Sequence, residues 1–211
     1  MPSHPLSENT KHSFPENGYE CFFCLHKKRG KDGERKNKSG CPADIRRIGE
    51  DMKRVNLIYR HPLYQKKYNA LQKAEEHRKF CNHTLEHFLD VARLMYIYSV
   101  EQELSISKEV IYAAAFMHDI GRIDQIEKGI PHEMAGAALC DRILPDCGFA
   151  KEEISLIKDF ILHHRIKDTG ADTPLYEMLY WADKKSRNCF ACAAQAECNW
   201  DRQKMNLEID Y

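Results

Sequence analysis

The chain has 211 residues, 43% of them hydrophobic, and its 32 lysines and arginines balance 32 aspartates and glutamates. That length supports one domain of moderate size with a core of its own, and the balanced charge excludes a dedicated polyanion binder, so no dedicated nucleic-acid surface is expected. No stretch approaches the roughly 18 apolar residues of a membrane span, and the opening "MPSHPLSENTKHSFPENGYE" lacks the apolar centre of a secretory signal, which points to a cytoplasmic protein.

Residues 1–42 read as a poorly structured segment in which "KKRGKDGERKNKSG" is a solvated loop and only "YECFFCL" breaks the polar character. From residue 43 to 211 the pattern is helical. Ile45, Ile48, Met52, Val55 and Leu57 recur near helical spacing, and Pro62 suits the first turn of a second helix that runs to about residue 100, with room for a bend. A short link near Glu101–Ser107 precedes the evenly apolar, buried helix "KEVIYAAAFMHD". Gly121 and Gly129–Pro131 bracket a loop, and Pro131 opens "PHEMAGAALCDRIL". "KEEISLIKDFILHHR" carries acidic residues in its first turn, as the helix dipole favours, and "PLYEMLYWADKKSR" is the last helix. Alternating strand patterns are absent, so the expected fold is all-α.

Two helices joined by a short turn run antiparallel, and the midpoint between His87 and His118 falls inside the predicted turn. His87 is therefore expected level with His118 and Asp119. His132 opens a later helix, His163 and His164 end another, and Asp183 follows the apolar "LYEMLYWA", where a carboxylate is costly to bury without a partner or a metal. Each of these residues alone reads most simply as a cap or an exposed side chain. Together they adjoin apolar runs where a solvated face is not expected. Imidazole with carboxylate suits manganese, iron, nickel or zinc better than calcium.

The order His, His-Asp, His, His-His, Asp resembles the HD superfamily of metal-dependent phosphohydrolases, with "HFLDVARL", "AAAFMHDIGR" and "ADKKSR" matching its motifs across about residues 78–190. The resemblance implies a helical bundle around one or two metals. His87, His118, Asp119 and Asp183 match the ligands of a first ion. His132, His163 and His164 match the added ligands of a second, with Asp119 bridging both. Arg122 stands where relatives often carry lysine and is a candidate clamp for a substrate phosphate; Lys184 and Arg187 are further candidates or plain surface charges. His83 lies four residues before His87 on the same face, where some dinuclear relatives place an acidic residue, so it is a ligand or a substrate-contacting group. The paired histidines are followed by "HHRIKDTGADTPLYEM" rather than Gly-Tyr-Pro, and cyclic di-GMP is not carried over as the substrate.

Nine cysteines are many for this length. Cys189, Cys192 and Cys198 form a Cys-x2-Cys-x5-Cys run that resembles the iron–sulfur loops of some nucleases and DNA glycosylases, where a fourth cysteine comes from elsewhere. Cys21, Cys24 and Cys41 form a second partial set with the spacing of half a zinc site. One N-terminal cysteine completes the trio, or each set uses another fourth ligand such as His26, or all are reduced thiols. Cys81, Cys140 and Cys147 read as packing residues.

The expected protein is thus an HD-type phosphohydrolase, a phosphomonoesterase or phosphodiesterase, with two divalent ions and a nucleotide or other small phosphate ester as substrate. Its rivals are a di-iron oxygenase built on the same ligands, as in myo-inositol oxygenase, and a sensor module with zinc or an iron–sulfur cluster at its cysteines.

Overall fold

The computed structural model describes residues 52–165 and 174–211. Cys21, Cys24, His26, Cys41, Ile45 and Ile48 lie outside the described residues. Among the described residues there is no strand, and eight α-helices form the fold. They are α1 (Lys53–Arg60), α2 (Pro62–Ala74), α3 (Leu85–Glu101), α4 (Lys108–Met117), α5 (Arg122–Lys128), α6 (His132–Ile143), α7 (Lys151–His163) and α8 (Pro174–Lys185). No helix among them is long and apolar enough to cross a membrane.

The evenly apolar α4 is the central element. Every residue from Val110 to Met117 except Tyr112 is buried, because α1, α3, α6 and α7 all pack on it. Side chains such as Ile111, Phe116 and Met117 each contribute about 1.5–3 kcal/mol by leaving water. Ala113, Ala114 and Ala115 are fully buried, and their size lets neighbouring helices approach closely. A larger residue at any of the three would overpack the bundle at a cost of about 1–3 kcal/mol. The hydroxyl of buried Tyr64 donates to the Phe116 carbonyl at 3.2 Å, tying α2 to the end of α4. Arg54 bridges Glu109 and Glu153, through Nε at 2.5 Å and Nη1 at 2.7 Å, and so joins α1 to α4 and α7.

Two sequence expectations are corrected. The helix from residue 62 does not run to 100. It stops at Ala74 and restarts at Leu85, although "AEEHRKF" contains good helix formers. Glu75 folds back to accept from the His83 backbone N–H at 2.8 Å and to meet Arg78 at 2.7 Å, while Cys81 adopts φ 39° in the left-handed region. Tertiary pairing thus overrides local propensity. The segment between Gly121 and Gly129 is not a loop but the short helix α5, whose Asp124 is buried against Lys67 and Lys128 and which ends at Gly129 in the left-handed conformation (φ 70°). That turn favours glycine.

Candidate metal centre

Local chemistry sets each polar residue in place. The Thr84 hydroxyl accepts from the His87 N–H at 3.4 Å and so caps α3 three residues before His87. His118 and Asp119 follow the last residue of α4, and the Asp119 carbonyl accepts from Arg122 N at 3.0 Å as the chain turns into α5. Gly121 makes that turn possible through space rather than φ. A Cβ there would sit 2.2 Å from the His132 carbonyl oxygen and 2.6 Å from Gly136 N, so the turn and the start of α6 touch backbone to backbone.

His87, His118, Asp119, His132, His164 and Asp183 are all buried, as is His83. The structure brings them into two groups. His87, His118, Asp119 and Asp183 present ligand atoms all within 4.8 Å of one another, and Asp119, His132 and His164 form the second. Asp119 belongs to both, one oxygen to each. Its Oδ2 lies 3.1 Å from His118 Nε2 and 3.8 Å from His87 Nε2, whereas its Oδ1 lies 3.3 Å from His132 Nε2 and 4.0 Å from His164 Nε2. Asp183 Oδ1 closes the first group at 3.4 Å from His87 Nε2. His87 and His118, expected side by side across the α3–α4 hairpin, have ring centroids 5.5 Å apart. His163 does not join either group. Successive helical residues point about 100° apart, so His164 faces the cluster while His163 directs Nδ1 at the Asp159 carbonyl, 2.7 Å away.

The ring tautomers follow from their partners. Nδ1 of His118 meets the Ala115 carbonyl at 2.6 Å, Nδ1 of His164 meets that of Ile161 at 2.5 Å, and Nδ1 of His132 meets Gln125 Oε1 at 2.7 Å. These oxygens only accept, so each Nδ1 carries the proton, and in a neutral ring each Nε2 is a bare lone pair. His132 Nε2 and His164 Nε2 nevertheless face each other at 3.1 Å. His118 Nε2 is buried with no hydrogen-bond partner, its approach to Asp119 lacking the direction of a hydrogen bond. Lone pairs converging on one another and on carboxylates repel unless a cation lies among them. Two nitrogens about 2.1 Å from one ion and at right angles would be about 3.0 Å apart, so the donors present fit a divalent transition metal.

The electrostatics agree. Burial pushes the Asp119 carboxyl up, but the adjacent His118 ring and its neighbours bring it well below the usual carboxylate range. Asp183 is likewise lowered, burial being outweighed by the His87 ring 3.4 Å away and the nearby His118. For His118 burial acts downward, yet Asp119 and Asp183 more than offset it and the pKa rises. Burial drives His132 down to about 3, so that ring stays neutral at pH 7. The centre is therefore a buried site of fixed negative charge that raises the proton affinity of His118, and so favours a cation, beside a neutral His132 ring.

Glu75 carries no sequence signal as a site residue. Only 3% exposed, it takes the Nδ1 proton of His83 at 2.7 Å, and His83 Nε2 then lies 3.3 Å from Asp119 Oδ2. A cavity of about 260 Å³ opens here, with His83, Asp183, Arg122, Lys184, Arg187 and Trp200 in its wall. Arg122 Nε donates to Asp119 Oδ1 at 2.9 Å, Lys184 Nζ to Asp183 Oδ2 at 2.6 Å, and Arg187 Nη2 approaches His87 Nε2 at 3.0 Å. Cys189, Cys192 and Cys198 line a separate neighbouring cavity.

The sequence model of the HD domain matches residues 84–194, which include His87, the His118–Asp119 pair, His132, His164 and Asp183. The chain belongs to the HD domain family. An "Uncharacterized protein" of Clostridium beijerinckii is 41% identical to this HD protein over 160 residues, 76% of this chain and 100% of its own length. Among solved structures, a predicted HD superfamily hydrolase from an uncultured Thermotogales bacterium is similar with 19% identity and a TM-score of 0.48, over 68% of this chain and 81% of its own.

Proposed function

We propose that this HD domain is a metal-dependent phosphohydrolase acting on a nucleotide or another small phosphate ester, as a phosphomonoesterase or phosphodiesterase. The observation that carries this reading is the Asp119 carboxylate, one oxygen toward each donor group, beside a cavity walled by Arg122, Lys184 and Arg187. In it, His87, His118, Asp119 and Asp183 hold one ion, and Asp119, His132 and His164 hold a second. Manganese, iron, nickel or zinc bound there would make a water nucleophilic near neutral pH and neutralise phosphoryl oxygens.

The remaining work falls to the chain. Glu75 fixes His83 with its proton on Nδ1, and burial lowers its pKa to about 4, so its Nε2 is a proton acceptor at pH 7 on the cavity wall. Arg122 presents a planar guanidinium to the same space and is suited to a pair of phosphate oxygens. Trp200 and Phe80 add aromatic faces on which a nucleobase can rest. Cations on the wall favour an anionic ester over dioxygen as the species admitted.

The test uses the full chain loaded with manganese, and separately with iron, on a panel of nucleotides and phosphate esters. Inorganic phosphate or a free monoester is the expected product. Substrate-dependent oxygen consumption by the iron form without phosphate release would replace this reading by an oxygenase, and binding without turnover by a sensor.

A further inference from the structure

The Cys-x2-Cys-x5-Cys run does not stand alone among the described residues. A cavity of about 230 Å³ beside the metal centre has Cys81, Cys189, Cys192 and Cys198 together in its wall, along with His87, Ser186 and Arg187. Cys81 is therefore not a packing residue. Burial raises its thiol pKa, and charge on the three C-terminal cysteines raises it further across the cavity, while Arg187 acts the other way. By contrast, Cys140 and Cys147 are 0% and 2% exposed within the core and match the packing role.

We propose that Cys81, Cys189, Cys192 and Cys198 bind a [4Fe–4S] cluster, one thiolate to each iron. Four features support this. First, all four cysteines line one cavity and are not gathered tightly round a point. A tetrahedral zinc at about 2.3 Å from each sulfur would hold the sulfurs roughly 3.8 Å apart, yet among the described residues no three of them fall within 4.8 Å of one another. A cluster keeps its thiolates farther apart because each binds a different iron. Second, the Trp200 backbone N–H donates to Cys198 Sγ at 3.5 Å, the type of hydrogen bond that tunes the potential of a cluster.

Third, Cys81 holds φ 39°, a left-handed conformation that is strained for a non-glycine residue and persists only where surroundings enforce it. The surroundings do so. Arg187 Nη1 donates to the Asn82 carbonyl at 3.0 Å, and Lys79 pairs with Glu197, clamping the Cys81 turn onto the C-terminal segment. Fourth, the C-terminal cysteines stand on short turns whose N–H groups bond within the segment: Cys192 N to the Cys189 carbonyl at 3.2 Å and Cys198 N to that of Gln195 at 3.2 Å. Gln195 Nε2 braces the Cys189 carbonyl at 2.7 Å. The guanidinium of Arg187 in the cavity wall supplies positive charge against a cluster bound by four thiolates.

The experiment is anaerobic reconstitution of the full chain with ferrous iron and sulfide, followed by acid-labile sulfide, visible absorption and paramagnetic resonance after dithionite. The metal centre binds no sulfide, so sulfide reports the cysteines alone. About four sulfides per chain are expected, lost in Cys81→Ser and kept when Cys21, Cys24 and Cys41 are all changed to serine. Should Cys81→Ser fail to fold, Cys192→Ser, at an exposed position, is read by the same criterion. Zinc without sulfide in the wild-type chain, sulfide retained in Cys81→Ser or in Cys192→Ser, or sulfide lost in the N-terminal triple variant would each overturn the assignment.

Discussion

His132 and His164 point their Nε2 atoms at each other across 3.1 Å, while each ring holds its Nδ1 proton against a protein oxygen. The ring of His164 is fixed by a backbone carbonyl within its own helix, but that of His132 depends on a side chain, Gln125. Gln125→Ala removes that acceptor and frees the ring to turn. Affinity for the ion at this group should fall about 10–100-fold, with the first group unaffected. Isothermal titration of the metal-free chain with manganese reads this directly, and unchanged affinity at both steps would sink it.

Gly121→Ala places a methyl group 2.2 Å from the His132 carbonyl oxygen, so backbone rather than a flexible side chain must give way. The chain should lose about 1–3 kcal/mol of stability. It should also bind the second manganese more weakly, because the strain falls on the first turn of α6. Thermal unfolding and manganese titration of one preparation test both parts, and a variant with wild-type stability would contradict the contact.

Arg122→Ala should raise KM for phosphate esters about 10–100-fold, the worth of a charge-assisted hydrogen bond of about 1.5–3 kcal/mol. Because Arg122 also donates to Asp119 Oδ1, a drop in kcat with unchanged KM would instead assign it to holding that carboxylate. Steady-state kinetics separate the two.

Burial raises the Cys147 thiol to about 11, with a small further rise from Asp146. Above the unfolded thiol's pKa near 9 the unfolded chain releases a proton that the folded chain retains. Folding stability from this group is therefore intact below about pH 9 and declines as pH rises toward about 11. Cys147→Ala should flatten the decline in melting temperature across that window, whatever offset the lost sulfur adds. An identical slope in wild type and variant would contradict it.

Much of this was legible in the sequence. The turn between α3 and α4 set His87 against His118 by counting alone, and the apolar run before Asp183 announced a buried carboxylate. Glu75 was not legible, because its partner His83 lies eight residues on, across a break that the local sequence does not mark. Gln125 was hidden for a similar reason: the segment between Gly121 and Gly129 is bounded by turn signals, and its helix is held by Asp124 reaching Lys67 on α2. Cys81 shares a cavity wall with Cys189 only through the tertiary fold, so no local spacing could bring them together. His163 and His164 are adjacent in sequence, and only the rotation of α7 decides which one faces the centre.

Asp119 gives one oxygen to each donor group and so joins them into one centre. Manganese stoichiometry of the full chain in wild type, His132→Ala and Asp119→Ala, taken after chelation and without sulfide, tests this. About two ions per wild-type chain, about one for His132→Ala and fewer still for Asp119→Ala are predicted. One ion per chain in both wild type and His132→Ala, or undiminished binding by Asp119→Ala, would contradict the shared centre.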